Sequence, residues 1–516
     1  MDRLAVLMKV HESWYTHPLV LGNASGILLA IGYRFPGAWP LLFIALVPLL
    51  YAVRVSRSAR EAFYAGTIAG LWLMGTATTW LFSVVPLPTN YGVSTAVAGL
   101  ALVTLSWILA SVATGVVVGL WAVLLRFLNL KQVMDVVTVA LLWEGGEALR
   151  MLSFNVLTYN PVIHNPLFFS AGFLGYPIMD TESLRQLAAF GGVYTIGFLV
   201  VLVNTLLFYF ATSSNRTFRA RGVSITLLAL LVVSLLPFSH FRMMLATKPT
   251  QTVRVAIMSL YLPPSLDESA ATSSITSQEK DFITEASTQN PEIILLPEDS
   301  KLFYPFTPDT VGEYLVPQSQ ALVTDSGGVT TVNRNHPLRL YADTRESQVG
   351  IRDKQVLTPQ GEYLPSLFGT ALSLAGLQKE AVSFIHARGY SSSNPGSVQL
   401  HTASARAAIL FCLEVMSPGL GRSLVTEQSD NLLLVPASHL LFKSSPVLEQ
   451  DTFRFARSQA VEAGVPLASS VLQGSAYVID RYGNVLATAG KKGGSDVTVV
   501  TIPVVMSATS PSTSAE

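Results

Sequence analysis

The chain has 516 residues and a formal net charge of zero, with 13% charged and 50% hydrophobic residues and a mean hydropathy of +0.45. Soluble globular chains carry roughly 25% charged residues, so an ordinary soluble enzyme is excluded. The balanced charge offers no basic field for nucleic acid.

The shortage of charge is uneven. Up to about Leu245 the sequence is a series of apolar runs, and from Pro249 it has the mixed charge, Pro, Ser and Gly of a soluble domain. This predicts a membrane domain over residues 1–245, a globular domain over 246–506 large enough for one core, and a disordered Ser/Thr/Pro-rich tail over 507–516. A membrane-spanning helix needs about 20 predominantly apolar residues. Seven candidates are expected, over 19–33, 38–53, 63–85, 95–125, 133–152, 192–211 and 223–238. No small-residue cleavage site follows the first apolar run, which reads as an uncleaved anchor.

Lys and Arg in the short loops set the orientation. With a cytoplasmic N-terminus, the inner segments carry Arg3, Lys9, Arg54, Arg57, Arg60, Arg126, Lys131, Arg216, Arg219 and Arg221, against Arg34, Arg150 and Arg185 outside. Seven crossings then put everything after Arg242 on the outer side. Two features suggest more than anchoring. Glu144, Glu147 and Arg150 end the fifth apolar run, where ionisable groups are functional suspects, although an i, i+3 pair of Glu147 with Arg150 is equally consistent. The aromatic, proline-bearing loop 153–189 suits an element lying on lipid or covering a site.

In the globular half, strands are expected at 253–260, 293–296, 407–411, 431–435, 467–472 and 476–480, with helices at 278–288 and 451–463 and a turn at 480–484. Alternating elements with strands buried on both faces predict a layered α/β domain. Cys412 is the single cysteine, so no internal disulfide exists. A lone Cys is more often a small buried hydrophobe. Here, however, Glu298 and Cys412 each follow a buried strand, and Lys354 lies between them in the chain. A free thiol is only a few per cent thiolate at pH 7, so an acyl-transferring Cys needs a base and a cation. Glu298 is a candidate for the one and Lys354 for the other, as stabiliser of a tetrahedral oxyanion, although taken singly a loop carboxylate and a solvated turn lysine fit the same residues. The eight histidines stand singly, without the paired spacings of a zinc site, and no metal is expected.

These residues carry a resemblance. Ile294-Leu295-Leu296-Pro297-Glu298, Lys354 followed by Pro359-Gln360-Gly361-Glu362-Tyr363-Leu364-Pro365, and Cys412-Leu413-Glu414 resemble the Glu–Lys–Cys signature of the carbon–nitrogen hydrolase (nitrilase) superfamily. The GEYLP run and the preceding helices are similar to the apolipoprotein N-acyltransferase family. Gly66, Gly70, Gly75, Trp80-Leu81, Glu147 with Arg150, the run from Gly192-Val193-Tyr194 to Asn204, and Glu462 to Leu467 add to the likeness. It implies a multi-pass helical domain followed by an α-β-β-α nitrilase-like domain in a bacterial inner membrane, facing outward. It also implies a cofactor-free ping-pong acyltransferase. A phospholipid, typically phosphatidylethanolamine, gives its acyl chain to Cys412 as a thioester. The acyl group then passes to the N-terminal α-amine of a diacylated apolipoprotein, completing lipoprotein maturation. Glu298 is then the base, Lys354 the oxyanion stabiliser, and Glu362 and Glu414 supporting acids.

The chain departs from the family pattern at Arg352, Gln360, Leu413, the loop Pro436-Ala437-Ser438-His439-Leu440 and Gln459, and a final eighth helix is not evident over 497–506. A membrane-tethered amidase, in which water resolves the thioester, and a catalytically inactive homologue remain alternatives on the residues alone.

Overall fold

The computed structural model of the protein describes residues 16–87, 95–128, 135–212, 242, 244, 248–262, 268–300, 322–331, 334–343, 348–351, 354–374, 376–388, 400–490 and 493–505. The first 15 residues, the span expected over 223–238, Arg352 and the tail 507–516 lie outside them. The chain falls into two compact units. The first comprises Met1–Phe82, Val97–Leu157 and Phe169–Met244, and the second Ser83–Ala96, Thr158–Phe168 and Leu245–Glu516. The sequence-based division at 245 and 246 does not include the two short segments that cluster with the second unit.

The principal helices of the first unit are α1 (Pro18–Arg34), α2 (Val47–Val55), α3 (Ala59–Ala77), α4 (Ala96–Leu128), α5 (Asp135–Leu157) and α6 (Ala188–Thr212). Among the described helices, α4 and α6 are long and apolar enough to cross a membrane, and the apolar stretch Trp39–Val55 is shorter. The expected run over 38–53 is not one helix. Pro48 has no N–H to give, so the chain divides into a 3₁₀ turn, Trp39–Leu41, a single α-turn, Leu42–Ala45, and then α2. Asn204 of α6 satisfies the break: its Nδ2 donates to the Leu42 carbonyl at 2.7 Å and its Oδ1 accepts from the Leu46 N–H at 2.8 Å. Likewise α3 stops at Ala77, short of the expected 85, and the chain continues as a 3₁₀ helix, Thr79–Val84.

Small residues let these helices approach closely. Gly66 and Gly70 on α3 face Gly115 and Gly119 on α4, each pair four residues apart. A Cβ at Gly66 would stand 2.6 Å from the Val118 carbonyl oxygen, and one at Gly119 would stand 2.8 Å from that of Phe63. This is small-xxx-small packing, in which the missing side chains let two helix backbones approach closely.

The second unit holds the strands β1 (Gln251–Leu260), β2 (Ile293–Leu295), β3 (Leu322–Thr331), β4 (Arg334–Asp343), β5 (Gln348–Ile351), β6 (Leu400–His401), β7 (Arg406–Ile409), β8 (Leu432–Ser438), β9 (Leu467–Leu472), β10 (Ala476–Ile479), β11 (Val485–Ala489) and β12 (Asp496–Val504). They form a sheet of order β5-β4-β3-β2-β1-β9-β8-β7-β6. The central run from β3 to β7 is parallel, and β4, β5 and β6 pair antiparallel at its margins. Off this path, β12 runs antiparallel to β1, and β10 and β11 form a hairpin beside β9.

The helices of this unit are α7 (Glu268–Ser287), α8 (Ser366–Leu374), α9 (Gln378–Arg388), α10 (Leu420–Gln428) and α11 (Pro446–Ala463). Strand alternation divides the apolar residues between two faces. Val255, Ile257, Ile293, Leu295, Leu432 and Leu434 share one core with Ala476, Val478, Ala489, Val500 and Ile502 of β10, β11 and β12, which extend the same sheet. On the other face Ala256, Met258 and Ile294 pack against Ile283 and Ala286 of α7. The result is a layered α/β unit. Parallel strands buried on both faces read as continuous apolar runs, which is why 293–296 and 431–435 were legible. The apolar run at 497–506 is strand β12, not a truncated helix.

Candidate active site

Three strand ends converge. Glu298, Lys354 and Cys412 each lie three residues beyond the last residue of β2, β5 and β7, respectively. Carboxyl ends of parallel strands are where open α/β sheets present working groups. Glu298 and Lys354 are 4% and 1% exposed, and Cys412 is partly accessible. The Lys354 Nζ donates to Glu298 Oε1 at 3.1 Å and to Glu362 Oε1 at 2.8 Å, so one buried ammonium is held between two carboxylates.

Cys412 sits at the sharpest point of the turn after β7, with a φ of +42°, the left-handed region that a non-glycine residue adopts only under constraint. It begins a 3₁₀ turn, Cys412–Met416, and its Sγ donates to the Ser438 carbonyl of β8 at 3.7 Å. The thiol is pushed up, first by burial and then by the negative charge of Glu298, against a lowering by Lys354. The resting state is therefore a thiol facing a carboxylate. Its proton must be taken during attack, as general-base catalysis does.

Glu414 is a clamp. Its Oε2 accepts the Phe411 N–H at 2.8 Å, and its Oε1 accepts the N–H of Gln355 at 2.5 Å and of Val356 at 3.4 Å. One carboxylate thus ties the Cys412 turn to the strand end carrying Lys354. The second oxygen of Glu362 accepts the Thr358 N–H at 2.7 Å, closing the loop that follows the lysine.

The rest of the GEYLP run is anchored by residues 158–168. The Tyr363 hydroxyl donates to the Thr158 carbonyl at 3.0 Å, and Asn160 Nδ2 donates to the Leu364 carbonyl at 2.9 Å. Asn165 grips Leu357 on both sides, its Nδ2 donating to the carbonyl at 2.8 Å and its Oδ1 accepting the N–H at 2.9 Å. Ile163, Leu357 and Tyr363 form a small apolar cluster under these bonds. The cover expected from loop 153–189 is thus, over 158–168, a buttress for the Lys354 loop.

At Gln459, one of the positions singled out in the sequence, the amide makes three backbone bonds around the Cys412 turn. Its Nε2 donates to the carbonyls of Val415 and Ser417, and its Oε1 accepts from Gly421. Glu462 accepts the Gly419 N–H at 3.3 Å. Gln360 carries a φ of +61° in the tight loop before Glu362. Three residues near Cys412 escaped the sequence reading. They are Tyr477 of β10, which lies within electrostatic reach of Cys412; Glu449; and His439, which the sequence marks only as one position of the altered loop and not as a site residue. Only the departure from pattern at 436–440 marked that region beforehand. In the first unit Glu147 and Arg150 are buried and paired at 3.2 Å, with the guanidinium also donating to the Gly172 carbonyl. Among the described residues no cluster of His, Cys, Asp and Glu could hold a metal ion.

Comparison with known proteins places these features in context. Residues 25–206 match the family model of the apolipoprotein N-acyltransferase N-terminal domain. The apolipoprotein N-acyltransferase of Geobacter metallireducens is 26% identical, the match covering 89% of this chain and 85% of that protein. The one from Allorhizobium ampelinum is 24% identical over 94% of this chain and 90% of its own. Among solved structures, an active-site mutant of an amidase from Nesterenkonia, of the nitrilase superfamily, aligns with 50% of this chain and 94% of its own at 17% identity and a TM-score of 0.36. The sequence matches span both compact units, and over most of its length the chain is similar to enzymes named apolipoprotein N-acyltransferase.

Proposed function

We propose that the protein transfers an acyl chain from a membrane phospholipid, through a thioester on Cys412, to the N-terminal α-amine of the lipid-modified cysteine of a diacylated apolipoprotein. The observation that carries the reading is the buried Lys354, bridged to Glu298 and Glu362 beside a partly accessible Cys412. In the first half-reaction Glu298 takes the thiol proton as Sγ bonds to the ester carbonyl carbon. Lys354 balances the oxyanion, and the acyl C–O bond breaks as the proton passes to the departing lysophospholipid oxygen. In the second, the neutral amine attacks the thioester and its proton moves through Glu298 to Sγ as the C–S bond breaks. The acyl bond energy is kept in the thioester, so the scheme uses no cofactor.

Both substrates are lipids, and the apolar helices α4 and α6 support a setting in which enzyme and substrates meet in one membrane. A multi-pass first domain with its N-terminus in the cytoplasm, and a nitrilase-like second domain on the outer face of a bacterial inner membrane, belong to the same proposal. The purified protein is to be incubated with phospholipid, with and without a diacylated lipopeptide, and intact protein and products weighed. The expected result is an acyl adduct on Cys412, discharged by the lipopeptide and absent from Cys412→Ala. Transfer by Cys412→Ala at the parent rate overturns the assignment, and free fatty acid without acylated peptide makes the enzyme a hydrolase.

A further inference from the structure

The loop after β8 departs from the family pattern and is also where the polar interior beside Cys412 is incompletely matched. Ser438, whose carbonyl faces Cys412 Sγ, is followed by His439, which is 5% exposed. The His439 backbone is fixed, its N–H donating to the Leu472 carbonyl at 2.8 Å and its carbonyl accepting from Phe442 at 2.9 Å. Its Nδ1 is buried and makes no hydrogen bond. A buried polar atom left in this way is costly to the fold, which calls for a reason. Burial holds the imidazole down to a pKa of about 4, so at neutral pH it is uncharged and one ring nitrogen offers a lone pair.

The second group is Glu449 of α11. A Cβ built at Gly474 would lie 2.9 Å from His439 Nδ1 and 3.2 Å from Glu449 Oε1, so an imidazole nitrogen and a carboxylate oxygen converge on one glycine. Burial pushes the Glu449 carboxyl up from its ordinary value, and the hydrogen bond from the Ser475 N–H pulls it back. Glu449 and Ser475 are partly exposed, whereas His439 and Gly474 are buried, and Val471 Cγ1 packs against the same side of Gly474. Tyr477 lies between this place and the nucleophile, within electrostatic reach of Cys412, Glu449 and Arg457. An uncharged acceptor nitrogen beside a carboxylate gives a net charge of −1 and two acceptors. That combination repels phosphate and carboxylate and fits a small cation with several N–H groups.

We propose that His439 and Glu449 form a subsite for a primary ammonium group beside Cys412, the carboxylate supplying the charge and His439 Nδ1 a second acceptor. Resting on the function proposed above, the ammonium has two sources, the headgroup of an ethanolamine phospholipid or the α-ammonium of the acceptor. A choline headgroup has the same charge but no N–H to donate, so it separates recognition by hydrogen bonds from attraction alone.

Two variants test the subsite: Glu449→Gln, which removes the charge, and His439→Phe, which keeps a buried ring without the nitrogen. Lysophospholipid release and acyl-Cys412 formation are measured with phosphatidylethanolamine and with phosphatidylcholine, and discharge of the acyl-enzyme is measured against lipopeptide concentration. A headgroup source predicts that the parent prefers ethanolamine over choline by about tenfold and that both variants lose the preference. An acceptor source predicts unchanged acylation and a KM for lipopeptide raised about tenfold at similar kcat. Binding of short-chain phosphatidylethanolamine, phosphatidylcholine and free-amine lipopeptide to Cys412→Ala, with and without Glu449→Gln, reads the subsite without turnover. Absence of any adduct on the parent Cys412 therefore defeats the function while leaving the subsite to be judged by binding. Unchanged headgroup preference, unchanged lipopeptide KM and unchanged binding in both variants overturn the subsite.

Discussion

At the scale of single residues, the site depends on carboxylates that do different work. Glu298 and Glu362 hold a lysine, whereas Glu414 holds backbone N–H groups on two sides of the site. Glu414→Ala leaves the N–H groups of Phe411 and Gln355 without their acceptor, each costing about 1–3 kcal/mol where buried. The expected outcome is a fall of several degrees in Tm together with at least a tenfold loss of acyl-Cys412 formation. Glu414→Gln, which keeps one carbonyl oxygen, is expected to recover part of both. Loss of activity with an unchanged melting curve contradicts the clamp.

At the scale of elements, the buried parallel strands and the side chains that follow them were legible, and most of the remaining strands were not. Cys412, Glu298 and Lys354 stood out because reactive side chains follow apolar strands, and the structure brings Glu298 and Lys354 into direct contact beside the thiol. The β3–β4 hairpin was not legible, since its strands, Leu322–Thr331 and Arg334–Asp343, contain the Gly, Asp and Asn of turns and no apolar alternation. Strand β12 was missed for the opposite reason: a short apolar run near a membrane-rich sequence reads equally as helix. Residues 158–168 stood out only as part of an aromatic loop suited to lipid or to covering a site, and their bonds to a loop some 200 residues away in sequence were not legible. Asn165→Leu removes both bonds to Leu357 while keeping the volume. It is expected to slow acylation of Cys412 by about an order of magnitude and leave bulk secondary structure unchanged, as read by circular dichroism and mass-resolved acylation. An unaltered rate shows that the Lys354 loop holds its shape without this segment.

At the scale of the whole molecule, two compact units interleave in sequence. The chain leaves the first at 82 and at 157, contributes short segments to the second, and returns each time. Deleting the first unit therefore also removes or releases Thr158–Phe168, and residues 246–516 alone lack the partners of Tyr363, Leu364 and Leu357. The loop charges predict that the second unit faces outward. A phosphatase reporter fused behind Val505, active only when exported, is expected to be active, and a cytoplasmic reporter fused there inactive. The reverse pattern excludes the lipid substrates proposed here.

The left-handed backbone at Cys412 sets stability against use. Holding a side-chain-bearing residue at a φ of +42° costs on the order of 1 kcal/mol, and glycine alone adopts that geometry freely. Selection for the thiol therefore keeps the fold below the stability its own backbone allows. Cys412→Gly is expected to melt above Cys412→Ala by roughly 1 kcal/mol in unfolding free energy, both being inactive. The most durable version of this protein would be one that has given up its nucleophile.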